Sequence, residues 1–305
     1  LRYARLFFFF FFLNYIIFDL EWSNYYNYST KTGINEVVEI GAIRLNESLE
    51  IVDTFKQLVK PTFAKKLSGR CKNLTKITNE EVKNSGISFA DAMSDFTRWC
   101  GAKENIFLSW SNSDLYVLAN NYLKVLGNCN ISFIKYYCDA QKYCMSFLSE
   151  NELDGNNQIG LSKCADIFGI SVDTQKLHRA LADCYITAEC LKKVFDTDSI
   201  KEYINPCDSS FFERMLYKPY MIIEPHSDFF DIDNVKINCP NCDSELYKIS
   251  NVDCKNKSFN FASKCPKCNK AYWANVRAKK TYDDVIISTH IVLMNKKRAK
   301  SKKFN

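Results

Sequence analysis

The sequence lacks the two features that would direct a chain into or across a membrane. It contains no secretory pattern with a small-residue cleavage site, and its apolar run over residues 6–18 has 13 residues and is interrupted by Asn14 and Tyr15. A helix needs about 20 apolar residues to cross a bilayer, so this run is too short. We therefore expect a protein that makes no membrane contact and is cytoplasmic.

The chain also lacks the composition of a disordered segment. Its 305 residues are 47% hydrophobic and 25% charged, which is typical of globular chains. This length suggests about two domains. The 14 cysteines are scattered through a chain too long for a small disulfide-stapled domain, so we expect them to be reduced.

Residues 1–13 form a low-complexity N-terminus with six consecutive phenylalanines and no initiating methionine. Phenylalanine codons are rich in T, so translation of a T-tract upstream of the true start is one explanation. We expect this stretch not to be native and assign it no function.

Two acids end a predicted buried strand over residues 15–22. Because strand side chains alternate, Asp19 and Glu21 should point to the same side. Adjacent carboxylates repel each other and are costly to desolvate unless a cation lies between them. The pair therefore predicts a site for a hard divalent ion with oxygen ligands.

Three further residues complete a possible catalytic set. Asp114 follows a short predicted strand, Asp183 lies in a helix predicted over residues 180–195, and His178 precedes that helix by a short turn. Four acids and a histidine suit a two-metal phosphodiesterase in which the histidine takes a proton. Taken singly, Asp114 could be an acid favoured by a helix N-terminus, and His178 a core histidine.

At these five residues the sequence resembles the DEDDh 3′–5′ exonucleases, over about residues 15–195. The resemblance favours the branch that contains KapD and the histone-mRNA exonucleases. It rests on the following stretches: residues 36–42, Lys60-Pro61, Leu67-Ser68, Cys71, Leu74-Thr75, Ile77-Thr78, Glu81-Val82, residues 109–114 and residues 160–170.

The resemblance implies both a fold and a reaction. The fold is α/β, an RNase H-like mixed sheet flanked by helices. Two Mg²⁺ or Mn²⁺ ions would be held by Asp19, Glu21, Asp114 and Asp183, and His178 would deprotonate the attacking water. The products would be nucleoside 5′-monophosphates released from single-stranded 3′ ends, with RNA favoured over DNA.

Two alternatives stay open from the sequence. One is an exonuclease of the same fold that serves DNA repair or proofreading. The other is a noncatalytic protein that binds nucleic-acid ends. The intact set of clustered acids argues against it, because clustered carboxylates are costly to bury and a noncatalytic protein has no need of them.

The predicted organisation is an exonuclease domain at 14–196, a linker at 197–235 with a helix near 209–216, and a second domain at 236–295. The predicted strands of the first domain are residues 15–22, 36–46, 51–59, 106–110 and 133–139. Its predicted helices are residues 78–84, 88–100, 114–126, 140–148, 161–168 and 180–195.

The second domain is predicted from its cysteines to be a small β-rich zinc ribbon. Two Cys-x-x-Cys pairs, Cys239 with Cys242 and Cys265 with Cys268, are separated by 22 residues. In this arrangement four thiolates hold one structural Zn²⁺ tetrahedrally. A redox pair is the alternative for a lone Cys-x-x-Cys, but two matched copies disfavour it. We expect Cys254 not to be a ligand.

Charge is distributed unevenly along the chain. Residues 254–305 contain 14 lysines and arginines against two acids, whereas the whole chain has a net charge of +6, so the remainder is net acidic. The basic tail at 296–305 could contact phosphates or could be a solvated, disordered tail.

Trp22 could stack on the terminal base or could belong to the core. The predicted substrate contacts are Leu20, Trp22, Trp110, Trp273, Lys296 and Arg298.

Overall fold

A computed structural model of the chain describes residues 14–153, 155, 158–172 and 178–294. These residues form two compact units that divide between Leu216 and Tyr217. The helices among them are all too short or too polar to cross a bilayer.

The first unit is built on one mixed sheet of six strands in the order β3-β2-β1-β4-β5-β6. Strands β1, β2 and β3 pair antiparallel, β4 and β5 continue the sheet in parallel, and β6 closes it antiparallel. This sheet with helices on both faces confirms the predicted RNase H-like class. The strands are β1 Asn14–Asn27, β2 Thr32–Leu45, β3 Ile51–Leu58, β4 Asn105–Ser109, β5 Tyr136–Asp139 and β6 Ile204–Pro206.

The hairpin formed by β1 and β2 is longer than predicted. The sequence predicted strands at 15–22 and 36–46, but pairing continues to Asn27 opposite Thr32. The extension was missed because its residues are polar and partly exposed, so apolar patterning does not mark it. The register shifts between Glu21 and Trp22, where a bulge re-aims the side chains beside the acids.

Helices cover both faces of the first sheet. Phe89, Met93 and Phe96 are buried on one face, while Tyr143 and Leu191 are buried on the other. The helices are α1 Gly69–Thr75, α2 Asn79–Ser85, α3 Phe89–Cys100, α4 Ser113–Leu126, α5 Ala140–Met145, α6 Glu150–Leu153, α7 Leu161–Ile167, α8 Ala180–Val194 and α9 Ser209–Leu216.

Residues 197–235, predicted as a linker, carry ordered structure. A 3-10 helix at Ser199–Tyr203 leads into β6, and α9 inserts Phe212 into the core of the first unit. The residues from Tyr217 onward belong to the second unit.

The second unit contains a sheet in the order β10-β12-β13-β14, with β11 paired to β12 and β7 paired to β13. One face of this sheet buries Phe259, Phe261 and Val276. Its strands are β7 Tyr220–Met221, β8 His226–Ser227, β9 Phe230–Asp231, β10 Tyr247–Lys248, β11 Asp253–Lys255, β12 Ser258–Lys264, β13 Ala271–Lys280 and β14 Val285–Leu293.

Candidate active site and cysteine cluster

The five predicted catalytic residues line one cavity of about 620 Å³ in the first unit. They arrive from four parts of the chain: β1, the start of α4, the turn before α8, and α8 itself. Three predicted substrate contacts, Leu20, Trp22 and Trp110, line the same cavity. The structure therefore brings together residues that are separated by more than 150 positions in the sequence.

The carboxylates converge at the floor of this cavity. One ligand oxygen each from Asp19, Glu21 and Asp183 lies within 4.8 Å of the others. Asp114 is held differently, because its Oδ1 accepts a hydrogen bond from the backbone N–H of Leu20 at 3.0 Å. This bond ties the start of α4 to the centre of β1 and fixes the orientation of the fourth acid.

Burial makes these acids costly to ionise. Desolvation, reinforced by the neighbouring Asp114 and Glu21, raises the pKa of Asp19 well above its ordinary value. Desolvation likewise raises the pKa of Glu21 to about 8 and that of Asp114 to about 7. For Asp183 desolvation raises the pKa to about 6, while His178 opposes the rise.

Such a group of acids fits divalent cations. Carboxylate oxygens are the ligands preferred by Mg²⁺, and a bound cation would favour the charged forms that burial and mutual repulsion disfavour. The donor set therefore supports the predicted metal site on chemical grounds.

His178 occupies the turn just before α8. Its backbone φ is +62°, a left-handed conformation that few residues other than glycine adopt. Its backbone also hydrogen-bonds the Asp183 carboxylate, and its side chain is exposed at the cavity wall. The imidazole thus faces solvent and the acids together, as a proton acceptor requires.

An ion pair next to His178 holds this turn against the sheet. The carboxylate of Glu39, fully buried on β2, accepts two hydrogen bonds from the Arg179 guanidinium, at 2.7 and 3.1 Å. It also accepts one from the backbone N–H of Ala180 at 3.1 Å. Sequence reasoning missed this contact, because the two residues lie 140 positions apart.

Helix α8 approaches β2 very closely at Gly41. A Cβ added there would lie 2.2 Å from the backbone nitrogen of Leu181, so only glycine fits. The Cys184 thiol donates to the Gly41 carbonyl oxygen at 3.3 Å in the same region. This contact carries Asp183 towards Asp19.

Further residues of the cavity wall were not predicted. Helix α1 supplies several of them, and it was missed because its seven residues contain glycine and polar groups and show no clear apolar periodicity. The additional wall residues are Asn24, Asn35, Arg70, Cys71, Leu74, Thr75, Ser111, Ser113, Gly160, Leu161 and Ser162.

The two tryptophans of the cavity are each partly committed to the protein. Trp22 is half-buried and packs against the core of the first unit while also lining the cavity, and its stacking on the terminal base stays a prediction. Trp110 donates from its indole Nε1 to the Ile159 carbonyl oxygen at 3.3 Å. Each ring is therefore held in place beside the acids.

The four predicted zinc ligands form a tight cluster in the second unit. Their sulfur atoms all lie within 4.8 Å of one another, with Cys239 and Cys268 at 3.6 Å and Cys242 and Cys265 at 3.4 Å. A tetrahedral zinc with bonds of 2.3 Å would place its sulfurs about 3.8 Å apart, so the cluster fits this ion. Cys254 is exposed and lies outside the cluster.

Within the cluster, a backbone hydrogen bond at Lys270 lowers the pKa of Cys268, but burial and the neighbouring thiols outweigh it and raise this pKa to about 11, whereas Cys239 favours the thiolate. Desolvation opposes ionisation of Cys239, but the Tyr272 hydroxyl at 3.3 Å and nearby backbone N–H groups outweigh it and lower the pKa of Cys239 to about 6. A thiolate is the form that binds metal.

Three predicted substrate contacts remain. Trp273 is on β13 of the second unit. Lys296 and Arg298 lie outside the residues that the structure describes.

The chain belongs to the RNase T family of exonucleases, whose sequence model, described as Exonuclease, matches residues 16–191. This makes the protein a DEDDh 3′–5′ exonuclease, a phosphodiester hydrolase of a family that uses divalent metals.

Two curated relatives carry the same activity in their names. The probable 3′-5′ exonuclease KapD of Bacillus subtilis is 29% identical over 177 residues, which are 58% of this chain and 80% of KapD. The 3′-5′ exoribonuclease 1 of Rattus norvegicus is 30% identical over 117 residues, 36% of this chain and 32% of the rat protein.

Solved structures share the fold. The nuclease domain of 3′hExo bound to rAMP aligns with a TM-score of 0.51 at 22% identity, over 60% of this chain and 92% of that domain. A 3′-exonuclease described in the recognition of histone mRNA stem-loops aligns with a TM-score of 0.52 at 19% identity, over 65% and 92% of the two chains.

Proposed function

We propose that this exonuclease acts on single-stranded nucleic acid, prefers RNA to DNA, and releases nucleoside 5′-monophosphates. The observation that carries the proposal is the convergence of four carboxylates and His178 in one cavity whose wall also contains Leu20, Trp22 and Trp110. An open cavity with aromatic walls suits a single terminal nucleotide better than a paired one.

Each residue has a proposed role. Asp19, Glu21, Asp114 and Asp183 would hold two Mg²⁺ or Mn²⁺ ions, directly or through water. When bound, such ions activate a water and stabilise the leaving oxygen. An imidazole nitrogen of His178 accepts the proton of the attacking water, and its place outside the buried acids lets it pass that proton to solvent. Leu20, Trp22 and Trp110 would pack against the terminal nucleotide.

The preference for RNA is supported by the relatives. The rat protein is named an exoribonuclease, and the 3′hExo nuclease domain was solved with rAMP. A protein tells RNA from DNA through contacts to the 2′-hydroxyl. The polar side chains of Asn24, Asn35 and Ser113 in the cavity wall offer donors and acceptors for such contacts.

The second unit is proposed to be a zinc ribbon that binds substrate. Cys239, Cys242, Cys265 and Cys268 would hold one Zn²⁺. We further propose that the protein is cytoplasmic and that its cysteines are reduced.

The substrate proposal is tested by digesting 3′-extended RNA and DNA oligonucleotides of one sequence, labelled at the 5′ end, side by side with Mg²⁺ or Mn²⁺. We expect a ladder of products shortened from the 3′ end, with a higher kcat/KM for RNA. A higher kcat/KM for DNA would contradict the RNA preference and favour a repair or proofreading role.

A further inference from the structure

The outer face of the sheet in the second unit carries a cavity of its own. It has a volume of about 480 Å³ and is lined by seven residues of β12, β13 and β14. These residues are Asn260, Trp273, Asn275, Arg277, Ser288, Thr289 and His290. None of the four clustered cysteines lines it, so this cavity is separate from the cysteine cluster.

The strand register arranges this face in three rows. Trp273 lies between Ala262 and Val292 in the first row. Asn275 lies between Asn260 and His290 in the second, and Arg277 lies opposite Ser288 in the third. On this face Trp273 is partly exposed and Arg277 is exposed.

The opposite face of β13, and not the outer face, packs against the hydrophobic core of the second unit. Ala274, Val276 and Ala278 alternate with the outer residues and are buried against Phe259 and Phe261. The sheet thus has one apolar face packed on its core, while its other face presents an indole, two amides, an imidazole and a guanidinium.

Charge on the outer face is positive. The strand register places four cations on this face, Lys255, Lys264, Arg277 and Lys279, and one acid, Asp253. Arg277 donates from Nε to the Ser258 hydroxyl at 2.9 Å, which uses one of its five N–H donors and orients the guanidinium. A polyanion is the ligand that this charge favours.

We propose that this face, referred to below as the outer sheet face, binds single-stranded nucleic acid independently of the 3′ end. A base stacks on Trp273, while Arg277 and Lys279 contact phosphates and the amides of Asn260 and Asn275 contact base edges. Trp273, Asn275 and Arg277 follow one another at every second position of β13, so they span about 14 Å, the reach of a few nucleotides. Aromatic stacking beside cations is the usual design for binding single strands without sequence preference.

The proposal rests on the proposed function in that the bound strand is the exonuclease substrate, but its test does not need catalysis. A closed circular oligouridylate of about 30 nucleotides is the probe, a length that exceeds the sites of about 4–16 nucleotides typical of such surfaces. The circle has no 3′ end, so its binding does not depend on capture of a 3′ end in the active site. Binding is measured by fluorescence anisotropy with the full chain at several salt concentrations.

Replacement of the stacking and phosphate contacts should have separate signatures. Trp273→Ala should weaken binding of the circle about 5- to 150-fold, the usual range for loss of one stacked base, whereas Trp273→Phe retains most of it. Arg277→Gln should flatten the salt dependence, lowering the slope of log K against log salt by about 0.7. The control Lys236→Gln removes an exposed cation of the same unit that does not line the cavity, and it should change neither quantity.

Several results would overturn the proposal. Unchanged affinity and unchanged salt slope in Trp273→Ala and Arg277→Gln, with zinc content retained, would show that the face does not bind the strand. Equal affinity for a double-stranded RNA would show that stacking on unpaired bases is not involved. If Trp273→Ala fails to fold, the test uses the salt slope of Arg277→Gln and the affinity of Trp273→Phe for the circle. An unchanged salt slope in Arg277→Gln would then overturn the proposal.

Hydrolysis of a trinucleotide separates the two proposals. A trinucleotide has a 3′ end but is shorter than the sites of about 4–16 nucleotides typical of single-strand-binding surfaces, so its hydrolysis by the parent protein reports the active site. Loss of trinucleotide hydrolysis in the parent protein would count against the proposed active site, while binding of the circle would still test the outer sheet face.

Discussion

At the scale of single residues, the contact that matters most after the acids is the buried ion pair between Glu39 and Arg179. Glu39 receives the guanidinium of Arg179 and the N–H of Ala180, so one carboxylate sets the position of the turn that carries His178. Lys56 lies 3.6 Å away and adds a second, more exposed cation. Arg179 is thus a positioning residue that acts through the turn and not by touching substrate.

The variant Arg179→Lys tests this role. Lysine keeps the charge but cannot donate two parallel hydrogen bonds, so the turn loses its fixed position. We expect kcat to fall about 10- to 100-fold, as for other partners that orient metal-site residues, while KM changes little. The matched control is Arg98→Lys, an exposed arginine paired with Asp95. A raised KM with normal kcat would instead show that Arg179 binds substrate.

The raised pKa of Glu21 predicts how stability depends on pH in the metal-free protein. With a folded pKa of about 8 and an unfolded pKa near 4.3, native Glu21 keeps its proton over an interval in which the unfolded chain has lost it. The free energy of unfolding therefore falls as pH rises through this interval, by up to about 1.4 kcal/mol per pH unit. Glu21→Gln removes this loss, so the variant should gain stability relative to the parent between pH 5 and pH 8.

The measurement is chemical denaturation of both proteins, without Mg²⁺ or Mn²⁺, at pH 5 and pH 8. Added Mn²⁺ should stabilise the parent more at pH 8 than at pH 5. At pH 8 fewer protons are bound to the acids, so the ions have fewer protons to displace. Asp166→Asn, at an exposed position, serves as the control and should follow the parent. A stability difference between Glu21→Gln and the parent that does not change with pH would contradict the raised pKa.

The residues of the site differ in how visible they were in the sequence. Two pairs of residues could be predicted because they are close in the sequence: Asp19 with Glu21 on a strand, and His178 with Asp183 at the start of a helix. At these spacings the regular geometry of the strand or helix places the two side chains near each other. Glu39 could not be predicted, because its partner lies 140 positions away and the pairing depends on how α8 docks on β2.

At the scale of secondary structure elements, Gly41 controls the docking of α8 against β2. The variant Gly41→Ala would force a methyl group against the backbone of Leu181 and Ala180. Overpacking of this kind commonly costs about 1–3 kcal/mol, and here it also displaces Asp183 from Asp19. We expect a lower Tm together with a loss of exonuclease activity that exceeds the loss of folded protein.

The same strand provides the control. Gly33→Ala also lies on β2, but its Cβ would meet its nearest neighbour, a ring carbon of Tyr26, at 3.4 Å, an ordinary contact distance. This variant should keep both Tm and activity. Normal activity in Gly41→Ala would show that α8 can shift without moving Asp183 out of its catalytic position.

The cysteine cluster leads to a prediction about the folding of the second unit. Cys265→Ser removes one ligand of the proposed zinc, which supplies roughly 10–16 kcal/mol to the folding of comparable small modules. We expect loss of the zinc measured by elemental analysis and local unfolding of the second unit, with trinucleotide hydrolysis retained by the first unit. Cys254→Ser, an exposed cysteine outside the cluster, should retain the metal. Absence of zinc from the parent protein, purified without chelator, would refute the site.

Elements were predictable where apolar periodicity or a cap marks them. Helix α2, predicted at 78–84, begins after Thr78, whose side chain forms a capping box with that of Glu81. Helix α1 and the outer part of the β1–β2 hairpin were missed, since both are polar and are stabilised by contacts that only the folded chain supplies. They carry part of the cavity wall, so the wall was the least predictable part of the site.

At the scale of the whole molecule, chemistry and charge are divided between two units. The acids that raise one another's pKa lie in the first unit, whereas residues 254–305 contain 14 lysines and arginines against two acids. A cavity of carboxylates repels phosphate when it holds no cations, so a separate cationic surface is useful to an enzyme with a polyanionic substrate. The outer sheet face supplies a surface of this kind.

The central claim is that Asp19, Glu21, Asp114, His178 and Asp183 form one metal-dependent catalytic site. The most direct test is the rate of nucleoside 5′-monophosphate release from a 3′-extended RNA oligonucleotide by the parent protein and by Asp19→Asn, with and without Mn²⁺. Asp166→Asn is the matched control. We predict release by the parent and the control only with the metal, and none by Asp19→Asn, although that variant folds because it relieves repulsion among buried acids. His178→Ala should lose about 10²–10⁴ in rate. Full activity of Asp19→Asn would contradict the assignment of this cavity as the active site.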